Sequence, residues 1–201
     1  MERIQEREPY VYQITGYKNT GKTSLVCRLV ALWSIQGLPA ATIKHDAHHF
    51  QIDRSGSDTW KHQQAGACWT AITSRLQTAI LQKEATELEQ LAAMAPADAI
   101  VLVEGFKHAA YPKLFMARTE EDLKLLGELD NLDAVVLWPE LDAERVAKET
   151  ASGIRLFGRD ETAKIAGHIL ERIGYAGRGG VRNCEAAEAD AAMAVRATAG
   201  R

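Results

Sequence analysis

The sequence predicts an α/β fold: a three-layer sandwich on a mainly parallel sheet, with a small antiparallel hairpin. Three observations carry that prediction. Gly16-Tyr17-Lys18-Asn19-Thr20-Gly21-Lys22-Thr23 fits the phosphate-loop pattern G-x-x-x-x-G-K-[ST] at every fixed position. A strand-like run, Tyr10 to Thr15, precedes the loop, and an amphipathic helical run follows from Ser24, which is the context the motif needs. Ile100-Val101-Leu102-Val103 is a short, unbroken apolar block. Such a block suits a strand buried on both faces of a parallel sheet. Together these make the fold NTPase-like, of the phosphate-loop kind.

The loop's residue types follow from what a triphosphate demands. Backbone N–H groups must converge on it in a concave nest at a helix N-terminus. Gly16 and Gly21 let the backbone turn and approach closely, where a Cβ would clash. Lys22 supplies a mobile cation to the β- and γ-phosphates, and the Thr23 hydroxyl is placed to ligate Mg2+. The candidate nucleotide-binding set is therefore Gly16, Tyr17, Lys18, Asn19, Thr20, Gly21, Lys22, Thr23 and Ser24.

The remaining elements read in order. The first helix covers Lys22 to Gln36, with Leu25, Leu29 and Leu32 on one face; Gly37 ends it and Pro39 prevents continuation. Ala40 to Lys44 is a second strand, so the pair is a parallel β-α-β unit with a right-handed crossover. Residues 47–57 read as loop, and Asp58 caps a short helix from Thr59 to Gln64. Trp69 to Thr73 and Thr78 to Leu81, joined by Ser74 to Gln77, form the hairpin. Glu84 to Met94 is helical, and the buried strand follows, ending at Glu104-Gly105. Then come a strand at Lys113 to Ala117, a helix at Glu120 to Leu129 and a buried strand at Ala134 to Trp138, stopped by Pro139. Asp142 caps a helix to Glu149, Ile154 to Phe157 is a last short strand, and Asp160 to Ile173 is a final amphipathic helix. A nucleotide-binding domain over residues 1–173 is expected, followed by a disordered tail rich in Ala, Gly and Arg over 174–201.

Composition narrows the classes. The 201 residues are 46% apolar and 25% charged, with a net charge of −3, which offers no reason for nucleic-acid or membrane binding. Cys27, Cys68 and Cys184 are widely spaced and form no C-x-x-C, so neither a disulfide framework nor a zinc site is implied. The first eight residues are rich in charge, without an apolar signal core, and no apolar run approaches the ~20 residues of a membrane span, so a cytoplasmic protein is expected.

Phosphate-loop proteins place an acidic residue at the end of a buried strand to hold Mg2+. Glu104 and Asp46 both end strands here, so the metal set reads as Thr23, Glu104 and Asp46. His45, His48 and His49 sit near Asp46 and open a transition-metal alternative, that of a metallochaperone-type GTPase. Lys107, His108, Lys113 and Arg118 form a basic group that reads as solvated surface or as a patch for an anionic ligand or an acidic protein partner. The guanine-reading N-K-x-D is missing, so the residues do not choose GTP over ATP. No residue is marked as catalytic, and a small-molecule kinase, the other alternative, would need an arginine-rich lid that is not seen.

The phosphate loop, Lys44-His45-Asp46-Ala47-His48-His49-Phe50, Asp58-Thr59-Trp60-Lys61-His62 with Ala65-Gly66-Ala67, and Val103-Glu104-Gly105-Phe106-Lys107, in that order, resemble the MobB family over roughly residues 10–173. These are nucleotide-binding adaptors of molybdopterin-guanine dinucleotide biosynthesis. The resemblance implies a dimeric protein that binds GTP with Mg2+ and hydrolyses it weakly at most. It implies partnership with the molybdopterin guanylyltransferase, and with molybdopterin or molybdoenzyme partners. Carried over by motif, Lys22 and Thr23 contact phosphate and Mg2+, Glu104 is the matching acidic position, and the block from Lys44 to Phe50 borders the nucleotide.

Overall fold

The computed structural model describes residues 9–46 and 50–175. The elements are β1 (Tyr10–Thr15), α1 (Lys22–Ile35), β2 (Ala40–Lys44), α2 (Asp58–Gln64), β3 (Trp69–Thr73), β4 (Thr78–Gln82), α3 (Leu88–Ala93), β5 (Ile100–Glu104), β6 (Lys113–Ala117), α4 (Glu120–Leu123), β7 (Leu132–Leu137), α5 (Ala143–Glu149), β8 (Arg155–Gly158) and α6 (Thr162–Arg172). Six strands form one sheet in the order β2-β5-β1-β6-β7-β8, and every pairing in it is parallel. β3 and β4 form a separate antiparallel pair. The expected α/β class therefore holds, with the hairpin apart from the main sheet.

The side-chain alternation of the strands builds the layers. Along β6, Leu114 and Met116 face one core while Phe115 and Ala117 face the other; along β7, Ala134 and Val136 oppose Val135 and Leu137 in the same way. The first core is closed by Leu25, Leu29 and Leu32 of α1 and by Ile165, Ile169 and Leu170 of α6. Leu125, Leu141 and Val146 help close the second. Helices thus cover both faces, which is what an all-parallel sheet requires. Helix α1 ends where expected. Gly37, at φ 72°, donates to Ser34, and Leu38 donates to Trp33, which is the Schellman arrangement.

The chain divides into two compact units. Of the described residues, one unit comprises those up to His45 together with those from Ala92 to Tyr175; the other lies within Asp46–Leu91 and carries α2, β3 and β4. Four local expectations need correction. Ser57, not Asp58, caps α2: its hydroxyl accepts from the Trp60 N–H at 3.1 Å, so Asp58 is the first helical residue. The expected helix over 84–94 is confined to Leu88–Ala93. The one over 120–129 changes at Lys124 into a 3-10 turn over Lys124–Glu128, a stretch that contains the weak helix former Gly127. Lys113 is no part of a basic surface. It is fully buried and its ammonium donates to the Lys107 and Ala109 carbonyls at 3.0 and 2.6 Å.

Tyr175 packs its ring edge-on against Tyr10 at 4.7 Å and donates to the Asp98 carbonyl at 3.1 Å. The remainder of the expected tail, residues 176–201, lies outside the described residues, as do Ala47, His48 and His49.

Candidate nucleotide-binding site

The sheet order places β1 in the middle, with β5 on one side and β6 on the other. The chain reverses its direction of travel across the sheet there, and ligands of open α/β sheets bind at such switch points, beyond the carboxyl ends of the strands. The loop from Gly16 to Thr23 emerges at that end of β1 and turns directly into α1.

Its backbone is shaped by steric necessity. Gly16 has φ 146°, and a Cβ there would lie 2.6 Å from the Met116 carbonyl oxygen, so no larger residue fits. Gly21 caps α1 in the left-handed region at φ 98°, and Asn19 sits at φ 64°. Internal bonds hold the turn. The Thr20 hydroxyl and the Lys22 ammonium both donate to the Tyr17 carbonyl, and the Trp138 indole N–H donates to the Thr20 carbonyl at 2.8 Å. The Lys107 ammonium lies 4.5 Å above the Tyr17 ring, and Arg118 donates to the Asn19 carbonyl at 3.4 Å. Burial pushes the Lys22 ammonium below its ordinary pKa, with Glu104 opposing that shift. A partly desolvated cation in a nest of N–H groups is a strong attractor for phosphate oxygens.

Beside the loop, the ends of three neighbouring elements converge. The Thr23 hydroxyl donates to Glu104 Oε1 at 2.8 Å. Lys44 stands opposite Glu104 in the β2–β5 register, and its ammonium lies 3.0 Å from the same oxygen and 3.5 Å from Thr23 Oγ1. The turn after Glu104 is fixed from beneath by buried Gln13, whose side-chain amide donates to the Gly105 and Phe106 carbonyls at 3.1 and 2.8 Å. Two expected residues, Thr23 and Glu104, are thus brought together. Asp46 follows β2 by two residues and is exposed, in the unit that begins with it.

A hydroxyl and a carboxylate oxygen are hard donors, which suits Mg2+ completed by phosphate oxygens and water. The Lys44 ammonium rests on those same two oxygens, so the pair already accepts a cation. Among the described residues, no group of three or more His, Cys, Asp or Glu side chains could hold a metal by itself.

On the other flank of the loop, the sequence singled out Arg118 alone, as part of a basic group. Trp138, just past β7, lies 4.4 Å from the Arg118 guanidinium and 4.3 Å from that of Arg159. The available signal was position: Arg118, Trp138 and Arg159 each follow a strand at the sheet's carboxyl edge.

Residues 11–138 match the family model described as MobB, molybdopterin guanine dinucleotide synthesis protein B. The chain belongs to the MobB family. It is similar to a molybdopterin-guanine dinucleotide biosynthesis adapter protein of Haemophilus influenzae, at 33% identity over 58% of this chain and 67% of the relative. Its fold matches the crystal structure of Bacillus subtilis MobB with a TM-score of 0.66 and 26% identity, over 82% of this chain and 97% of that one. A MobB homologue from Bacillus stearothermophilus matches at a TM-score of 0.62 and 25% identity, over 82% and 98% respectively. This MobB-family chain therefore shares its arrangement of sheet and helices with solved members. Among its described residues no helix is long and apolar enough to cross a membrane.

Proposed function

We propose that this chain is an adaptor of molybdenum cofactor biosynthesis, at the molybdopterin-guanine dinucleotide step, that binds GTP with Mg2+ on its phosphate loop. The single observation that carries the nucleotide reading is the Thr23–Glu104 pair at the mouth of a loop that only glycine at position 16 permits. In this reading the backbone nest and Lys22 take the β- and γ-phosphates, and the ammonium leaves the Tyr17 carbonyl for them. Thr23 and Glu104 hold the ion, with Asp46 assigned to its neighbourhood by its place two residues beyond Lys44. Bound there, Mg2+ offsets phosphate charge and fixes the triphosphate's geometry. Among the described residues no side chain stands out as a base or water-orienting group, and the reading is a binding protein with at most weak hydrolysis. It serves the molybdopterin guanylyltransferase as a cytoplasmic homodimer.

Calorimetry with GTP, with and without Mg2+, tests this. Wild type is expected to bind, more tightly with the ion. Lys22→Ala removes a charge-assisted contact and is expected to weaken GTP binding at least roughly tenfold while the circular dichroism melt stays in place. Equal GTP affinity in the variant would sink the assignment.

A further inference from the structure

The turn after β5 brings a cation to the phosphate loop, and the nucleotide reading leaves that cation without a task. Lys107 stands three residues after Glu104, half-buried, and its ammonium rests 4.5 Å above the Tyr17 ring. The Lys22 ammonium meets the same residue at its carbonyl. Two cations thus converge on Tyr17, one from within the loop and one from outside it. Among the described residues no carboxylate pairs with Lys107. A ring face holds an ammonium more weakly than a phosphate oxygen does.

The turn is built to hold this cation in place. Gly105 is at φ 98° and Phe106 at φ 49°, a left-handed backbone that a bulky residue adopts only where its surroundings enforce it. The neighbouring strands enforce it here. From β1, the buried Gln13 side chain donates to the Gly105 and Phe106 carbonyls. From the end of β2, the His45 ring packs on that of Phe106 at 4.7 Å, and the His45 N–H donates to the Glu104 carbonyl at 2.9 Å. From β6, the buried Lys113 ammonium donates to the Lys107 and Ala109 carbonyls. That last contact fastens the backbone of Lys107 itself. A buried ammonium is costly unless its donors are matched, and the carbonyls that match this one belong to the turn.

We infer that Lys107 reads the terminal phosphate, so that the site separates a nucleoside triphosphate from a diphosphate. The inference rests on the reading that the loop binds a nucleotide with Mg2+. Such an ion bridges the β- and γ-phosphate oxygens, so the γ-phosphate lies on the side of Thr23 and Glu104. Lys107 leaves that same strand end. After burial, the charges that act most on the Lys22 ammonium are those of Glu104, Lys44 and Lys107, so Lys107 already faces the place assigned to the outer phosphates. Lys22, inside the loop, serves both of them. Lys107, arriving from outside, meets the outer one. With a triphosphate its ammonium exchanges the Tyr17 ring for a γ-phosphate oxygen; with a diphosphate it stays on the ring. The flexible four-carbon stem carries that change while the turn stays fixed.

Full-length wild type, Lys107→Met and Lys107→Arg would be titrated by calorimetry with GDP and with the β,γ-imido analogue of GTP, both in the presence of Mg2+. Wild type is expected to favour the triphosphate by roughly tenfold or more. Lys107→Met keeps the stem against Tyr17 and removes the charge. It is expected to lose most of that preference through weaker triphosphate binding, with GDP affinity within about twofold of wild type. Lys107→Arg should retain the preference. Lys22→Ala supplies the contrast, since it should weaken both nucleotides. A wild type without the preference would overturn the inference and leave the phosphate-loop reading intact. So would a Lys107→Met variant that keeps the preference, whether it weakens both nucleotides equally or neither. Failure of wild type to bind either nucleotide would overturn both.

Discussion

Two carboxylates at strand ends of this sheet are buried to nearly the same degree, yet they are built for opposite purposes. Asp133, near the start of β7, has a side chain 13% exposed; Glu104, at the end of β5, has one 11% exposed. Asp133 Oδ1 accepts from the Tyr12 hydroxyl and stands 3.1 Å from His168 Nε2 of α6. Its other oxygen forms an ion pair with Arg172 Nε at 2.8 Å. Those three partners come from two elements, β1 and α6, and two of them, Tyr12 and His168, are fully or nearly buried themselves. Glu104 faces a hydroxyl at the edge of a loop and a lysine whose side chain is 54% exposed. One carboxylate is locked to the fold. The other is held by groups that can let go, and that difference, not burial, marks the site.

The largest test of this contrast is Asp133→Ala. It leaves the Tyr12 hydroxyl and His168 without their shared acceptor, and breaking a buried ion pair in this way costs about 3 kcal/mol. Chemical denaturation is expected to show that loss, with GTP affinity within about twofold of wild type. A stable variant with impaired binding would reverse the roles of the two carboxylates.

Tyr12→Phe should be next in size. Losing a buried hydrogen bond to a carboxylate costs about 2 kcal/mol at neutral pH. Burial above all, then Asp133, pushes the Tyr12 phenol far above its ordinary value of 10.0. The folded state therefore keeps a proton that the unfolded chain loses. Tyr12's contribution is full below pH 10 and declines as pH rises beyond it. The gap in stability between wild type and Tyr12→Phe should accordingly narrow above pH 10. A gap that widens there would show that the phenol is not what Asp133 holds.

Much of this architecture was legible in the sequence because backbone chemistry leaves few choices. The loop motif, the unbroken run of Ile100 to Val103 and the Gly37 stop each answer to a single physical demand, and each stands where it was expected. The Thr23–Glu104 meeting follows from the same logic. What was not legible depended on tertiary partners. Nothing in the chain around Lys113 announces that the carbonyls of Lys107 and Ala109 will receive its ammonium, so a buried lysine read as surface. Ser57 and Asp58 can both cap a helix, and only the position of the Trp60 N–H decides between them. Trp138 read as the end of a strand, because its two arginine neighbours come from positions 118 and 159.

On the open side of the comparison, Glu104→Gln removes the charge that a divalent ion needs and keeps the shape. GTP affinity without Mg2+ is expected to hold, and the gain on adding Mg2+ to shrink roughly tenfold. Stability should change by about 1 kcal/mol at most, since an exposed lysine and a hydroxyl can turn to water instead. A loss as large as that of Asp133→Ala would make Glu104 a structural carboxylate and leave the Mg2+ assignment without its anchor.

The smallest expected effect belongs to Lys44→Met. The ammonium occupies the oxygens assigned to the ion, so it competes with Mg2+ while contributing little as a half-exposed ion pair, about 0.5 kcal/mol. Removing it should lower the Mg2+ concentration needed for half-maximal tightening of GTP, because Glu104 then meets the cation without first releasing a partner. The melt should barely move. The opposite result, a marked loss of stability with the Mg2+ dependence unchanged, would mean that Lys44 locks Glu104 as firmly as Arg172 and His168 lock Asp133. The two carboxylates would then differ in address alone.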